Sequence, residues 1–241
     1  MIHLLFLSFF SLMAHAGTLS VVTTDFPPFQ YSIGDQVRGI TTEIVENVIA
    51  NAGYKSSIKS YPWARALKLG MKEREVLIYS IVRSPEREKN FKWIGVIAPY
   101  KVHFWKLKER KDIKVNSTED AKHYRCGATT GDIKTDQLIK LSFVSGLNLD
   151  LVASDQQNIR RLFAGKIDLM THDDLSFRYS IEAEKLDYSL VEKLIPLDGS
   201  SRELQLAASL GTSDAVVEKL RASLAAFKKT KKYFEIKNRL K

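Results

Sequence analysis

The chain has one cysteine, Cys126, in 241 residues. An internal disulfide is therefore excluded, as is any paired-cysteine metal or redox motif. No apolar run reaches the ~18–20 residues of a membrane-spanning helix. There is no Gly-x-Ser-x-Gly turn for a hydrolase nucleophile and no glycine-rich phosphate loop. No low-complexity linker or short-period repeat divides the sequence. These absences leave a chain held together by its own core, with no catalytic signature.

What is present is ordinary globular composition, 44% hydrophobic and 27% charged. The N-terminus "MIHLLFLSFFSLMAHAG" has an apolar block from Leu4 to Phe10 and then Ala14-His15-Ala16, a small-x-small pattern. This is an export signal ending at residue 16, with a weak positive start, or else a buried N-terminal element. A lipoprotein needs a cysteine just after cleavage, where Gly17 stands. The expectation is a periplasmic, soluble protein that is not lipid-anchored. The net charge of +9 is spread along the chain, with clusters at 106–114 and 228–241. The second cluster falls on an amphipathic pattern, with Val217, Leu220, Leu224 and Phe227 at helical spacing, so its lysines form a solvated face. Nucleic acid is not an expected partner. Steering of an anionic solute, or contact with an acidic partner or membrane surface, is a better use of the charge.

Strand and helix patterns alternate. Leu19–Thr23, Lys55–Ser60, Val76–Val82 and Val102–Leu107 read as strands in the first half. A helical stripe (Ile40, Ile44, Val45, Val48, Ile49) and a helix opened by Pro62 lie between them. In the second half, Arg125–Thr129, Leu149–Val152 and Ile167–Met170 read as strands. Gly131-Asp132 opens one helix between them and Asp155 caps another. Such repeats predict an α/β fold of two lobes, with mixed, mostly parallel sheets and helices on both faces. Ligands in such sheets sit at the carboxyl ends of the strands, here in a cleft between the lobes.

The candidate residues cluster at those strand ends. Asp25-Phe26-Pro27-Pro28-Phe29 follows the first strand, and its prolines hold Phe26 in one orientation or simply shape a turn. Tyr61-Pro62-Trp63-Ala64-Arg65 offers an apolar wall at Trp63 and a cation at Arg65, or ordinary packing within one lobe. Ser84-Pro85 reads as a helix start, with Arg87 one turn in as a bidentate fork for a carboxylate. The bland alternative is an arginine that is solvated or paired with Glu86 or Glu88. Asp132 caps a helix or faces the cleft. Thr171-His172-Asp173-Asp174 offers one carboxylate for an ammonium group, with capping by Asp174 as the alternative. Adjacent residues point in different directions, so no metal site is expected.

These elements resemble the family 3 extracellular solute-binding proteins, the amino-acid-binding type that serves ABC importers. The carriers are Asp25-Phe26-Pro27-Pro28-Phe29, Gly39-Ile40, Ser84-Pro85-Glu86-Arg87-Glu88 followed by Phe91, and Gly165-Lys166-Ile167-Asp168. The resemblance covers nearly the whole chain after residue 16. It implies lobe one at residues 17–102 and 200–241, lobe two at 103–199, and two hinge crossings. It also implies Arg87 gripping a carboxylate with Ser80 beside it, Phe26 and Trp63 walling the solute, and Asp173 holding an α-ammonium. Two departures stand out. Val82 replaces a hydroxyl residue five before the arginine, and Gly131-Asp132-Ile133 replaces a Gly-Thr-Thr type turn.

The resulting expectation is a non-enzymatic, monomeric periplasmic protein without cofactor. It captures a small polar, amino-acid-like solute by lobe closure and delivers it to the membrane permease of an ABC importer. The expected ligand-binding set is Asp25, Phe26, Trp63, Ser80, Arg87, Asp132 and Asp173. The alternatives are an enzyme on the same fold, of the cyclohexadienyl dehydratase type, and a sensing module for a separate membrane partner.

Overall fold

A computed structural model describes residues 17–199 and 202–240. The export signal expected at 1–16 lies outside the described residues. In chain order the elements begin with β1 (Thr18–Thr23), β2 (Tyr31–Ile33), β3 (Gln36–Arg38), α1 (Ile40–Asn51), β4 (Lys55–Ser60) and α2 (Trp63–Lys72). There follow β5 (Val76–Val82), β6 (Phe91–Tyr100), β7 (Val102–Leu107), α3 (Thr118–Ala121), β8 (Cys126–Thr129) and α4 (Ile133–Lys140). The remainder is β9 (Leu149–Val152), α5 (Asp155–Phe163), β10 (Leu169–Asp173), α6 (Asp174–Ala183), β11 (Val191–Pro196), β12 (Arg202–Ser209), α7 (Asp214–Phe227) and α8 (Lys231–Asn238).

Two five-stranded sheets result, ordered β4-β1-β5-β12-β6 and β11-β7-β10-β8-β9. The chain passes between them twice, from β6 to β7 and from β11 to β12. The expectation of mostly parallel sheets is corrected in one respect. In each sheet two pairings are parallel and two antiparallel. The antiparallel pairs involve the strands that lead into and out of the crossings. Those strands run from one sheet into the other instead of returning through a crossover helix, so parallel pairing is not imposed on them.

The sequence explains the central strands. Val76–Val82 is an apolar run buried at every position but Ser80, as a strand covered on both faces requires. α1 lays Ile44, Val45, Val48 and Ile49 on the first sheet, and α7 adds Val217, Leu220, Leu224 and Phe227. Cys126 is fully buried in β8, a small apolar residue rather than a reactive one. Gly39 is required where it stands. Its φ of +123° suits only glycine, and a Cβ there would lie 2.4 Å from the Phe29 carbonyl oxygen. That close approach seats the start of α1 against the loop that follows β1, and so helps set Phe26 at the sheet edge.

Candidate functional site

The carboxyl ends of the strands of both sheets face each other across a cleft of about 370 Å³. That is within the usual range for a small-molecule pocket. From the first sheet, the loop after β1 contributes Asp25 and Phe26, the start of α2 contributes Trp63, β5 contributes Ser80 and Val82, and the turn beyond it contributes Arg87. From the second sheet, the turn after β8 contributes Thr130–Lys134, and the residue after the β9 turn contributes Asp155. Tyr100, at the end of β6, is buried in the floor.

The first wall is locked by short-range bonding. The backbones of Phe26 and Gln30 exchange hydrogen bonds of 2.7 and 3.1 Å, closing the loop on itself. Phe26 stacks on Phe29 at 5.0 Å and meets Tyr100 edge-on at 6.0 Å. Gln30 is fully buried, and its Oε1 accepts 2.7 Å bonds from both Thr41 and Ser80. Ser80 has φ +57° and falls where the β5–β12 register skips one residue, so it is a bulge. The bulge turns its side chain toward the cleft, yet its hydroxyl proton is committed to Gln30. Asp25 Oδ1 accepts from Ser32 Oγ at 2.9 Å and Ser60 Oγ at 2.5 Å, which pins the carboxylate at the cleft rim.

Arg87 arrives by a different route from the one its sequence predicts. Ser84–Arg87 forms a turn, followed only by a short 3₁₀ turn at Glu88–Asn90. There is no α-helix and hence no helix N-terminus beside the arginine. Phe91 instead enters β6, whose ten residues pair with β12 over nearly their whole length. Sheet pairing overrides the local Ser-Pro signal. The guanidinium is positioned by side-chain contacts: it lies 5.3 Å over the Trp63 ring and donates to the Val82 carbonyl at 3.1 Å. Its neighbour Arg83 holds Glu88 through bonds of 2.7 and 2.5 Å. Arg65 is turned away onto the Tyr61 ring at 4.6 Å and does not line the cleft.

The second wall is an ionic chain. Asp132 caps α4 by accepting from the Lys134 backbone at 2.7 Å and also binds Lys134 Nζ at 2.7 Å. The same Nζ lies 3.1 Å from Asp155 Oδ2. Burial pulls the Lys134 ammonium toward neutrality, but the carboxylates of Asp132 and Asp155 outweigh it and hold the pKa well above the ordinary lysine value. Burial likewise opposes ionisation of Asp155, and Lys134 and His172 overcome it, holding that pKa well below the carboxylate range. The expected cap at Asp155 is corrected: Ser154 caps α5, accepting from Gln157, and Asp155 is the first helical residue. Its carboxylate takes bonds from Thr129, Lys134 and His172 instead.

Asp173 is the one residue of the expected set that the structure keeps out of the cleft. Its side chain is 5% exposed. It caps α6 by accepting from Ser176 at 3.0 Å and lies 3.3 Å from His172 Nδ1. Strand β10 runs through Asp173 itself, three residues beyond its expected end at Met170, so the carboxylate serves its own helix. Sequence reading missed Lys134 and Asp155 as cleft residues. The strand-end rule that singled out Asp132 applies to both, and Lys134 is two residues away from it.

His172 is buried between two carboxylates, Asp155 at 3.2 Å and Asp173 at 3.3 Å. Burial, the largest influence, lowers its pKa; the two carboxylates outweigh this and raise it from 6.5 to about 9. The folded state therefore binds this proton more tightly than the unfolded chain. The stabilisation is complete below pH about 6.5 and is lost as pH rises through about 9. The melting temperature of the wild type is expected to fall over that interval, and that of His172→Gln to change much less. A wild-type curve as flat as the variant's contradicts a charged His172.

Two sheets joined by a double crossing, with a polar cleft at their strand ends, define a two-lobed α/β solute-binding fold. Residues 19–240 match the bacterial extracellular solute-binding proteins, family 3, and the chain belongs to that family. The arginine-binding extracellular protein ArtP of Bacillus subtilis (strain 168) is 24% identical over 121 residues, 50% of this chain and 46% of that relative. This chain's match thus spans about half the length of that curated relative. Among solved structures, a histidine kinase sensor domain with similarity to periplasmic binding proteins superposes with a TM-score of 0.78 at 17% identity, covering 92% of this chain and 95% of that one. An ancestral arginine-binding protein bound to arginine has a TM-score of 0.75 at 18% identity, covering 92% and 97%. No helix among the described residues is long and apolar enough to cross a membrane.

Proposed function

We propose that this protein captures a small polar, amino-acid-like solute between its lobes and presents it to the membrane permease of an ABC importer in the periplasm. The observation that carries this reading is the opposition of Arg87, stacked on Trp63, to the Asp132–Lys134–Asp155 group across one cleft. In this reading lobe one comprises residues 17–102 with 200–241, and lobe two residues 103–199. Arg87 takes the solute carboxylate as a two-pronged donor. Phe26 and Trp63 wall the solute, and Asp155 with Asp132 faces its ammonium. Because the two walls belong to different lobes, a solute touching both favours the closed arrangement. Binding without turnover is the expected activity. The arginine-binding relatives support the solute class.

A second reading has its own observation: a kinase sensor domain is among the structures most like this one. In that case closure would signal rather than deliver. Native mass spectrometry of the purified protein is expected to show a co-purified small molecule, and a thermal-shift screen of amino acids is expected to raise its melting temperature. No retained solute and no shift with any amino acid would contradict capture. Loss of uptake on deletion favours transport; unchanged uptake with altered gene regulation favours sensing.

A further inference from the structure

The cleft's charges do not balance, and the imbalance is opposite in sign to that of the chain. Four carboxylates line it, Asp25, Asp132, Asp136 and Asp155, against two cations, Arg87 and Lys134. The whole chain carries +9, so this local excess of negative charge is not a by-product of composition. Directly behind Asp155, the charges of His172 and Asp173 offset each other.

The charges divide into three groups. Asp132 and Asp155 share Lys134, which leaves that group one negative charge in excess, the complement of one ammonium. Arg87 complements one carboxylate. A zwitterionic amino acid would satisfy both and leave Asp25 and Asp136 untouched. Neither of these has an ion-pair partner among the described residues. Asp25 comes from the first wall, where two serine hydroxyls fix its Oδ1. Asp136 lies on the first turn of α4 in the second wall.

The helix starts of the second lobe also disfavour an anion. Asp132 caps α4, and α5 opens on Asp155. The cap Asp132 consumes an amide N–H donor that an anionic group would use, and both carboxylates repel it. A second carboxylate on the solute has no complement on this wall.

We infer that the solute carries a net positive charge: an amino acid or related molecule whose side chain ends in an ammonium or guanidinium, read by Asp25 and Asp136. This rests on the solute-capture reading and goes beyond it by fixing the charge class. A charged cleft with low-dielectric walls discriminates solutes by charge more sharply than open water does.

Calorimetry with L-arginine, L-citrulline and L-glutamate separates the possibilities, because citrulline matches arginine in shape and lacks its charge. Arginine is expected to bind at least about 30-fold more tightly than citrulline, a difference that narrows as salt is raised. Glutamate is expected to bind most weakly. Asp136→Asn is expected to reduce arginine affinity by a larger factor than citrulline affinity, which a general loss of folding would not do. Citrulline binding as tightly as arginine, or glutamate binding more tightly than either, overturns the charge assignment and leaves solute capture standing. Binding of none of the three, with no thermal shift from any amino acid, overturns both.

Discussion

Arg87→Ala is expected to abolish measurable binding of any solute held by its carboxylate, a loss of at least about 100-fold. The loss has a geometric as well as an electrostatic cause. The guanidinium is the first wall's only cation in the cleft among the described residues, and it is pre-positioned by the Trp63 ring and the Val82 carbonyl. Little side-chain freedom remains to be lost on binding, so most of a charge-assisted pair is realised as affinity. Arg87→Lys keeps the charge but loses the planar fork and most of the stacking, and an intermediate loss is expected. Fold should be spared, because the residue sits in a surface turn and is half-exposed. An unchanged dissociation constant for Arg87→Ala contradicts the assignment.

The second large effect is on stability. Lys134 is only 6% exposed, and its ammonium is bonded to two carboxylates. Lys134→Met keeps most of the volume but leaves the half-buried carboxylates of Asp132 and Asp155 without their shared cation. Breaking a buried pair in this way costs about 3–5 kcal/mol. For a chain of this size that corresponds to a melting temperature lowered by on the order of 10 °C. Restoring part of the balance with Lys134→Met/Asp155→Asn should recover part of the loss, which separates charge from packing. A single variant within about 1 kcal/mol of wild type contradicts the buried ionic chain. His172 would partly cushion the change, since it supplies a second cation to Asp155 from behind.

The sequence made some of this legible and hid the rest for identifiable reasons. β4, β5, β7 and β9 fall at the residues expected for them, because each is a short run whose own pattern decides its conformation. β6, β11 and β12 went unrecognised. Their partners lie far away in sequence, as in the pairing of Leu204 with Ala98, and only the assembled sheet selects them. The Ser84-Pro85 helix start failed for the same reason: Phe91 onward is committed to β12, and the turn has no length left for a helix.

At the site, strand-end position was the informative signal. It brings Asp25, Phe26, Trp63, Ser80, Arg87 and Asp132 to one cleft. It says nothing about which way a side chain turns once it is there. Asp173 ends a strand and Asp155 follows one, and both can cap or face the cleft. The choice between them depends on His172, which holds one carboxylate on each side of its ring. Lys134 was hidden for a related reason. A lysine in the first turn of a helix ordinarily points to solvent, and only the convergence of two aspartates from separate elements turns it inward.

The departures from the family pattern acquire physical content in this geometry. Asp132 makes the α4 start acidic, and Lys134, two residues on, supplies the compensating cation in place. Val82 provides no hydroxyl, but its carbonyl takes an Arg87 N–H and steadies the guanidinium. The second lobe thereby carries an acidic face on which Lys134 offsets only part of the charge of Asp132, Asp136 and Asp155.

The most direct measurement is a crystal structure of the protein with its tightest-binding amino acid. The account predicts a closed cleft, a solute carboxylate within about 3 Å of the Arg87 guanidinium, and its ammonium against Asp155 or Asp132. A solute bound instead in the separate cavity lined by Phe29, His103, Arg178 and Tyr188, with Arg87 uninvolved, would contradict it.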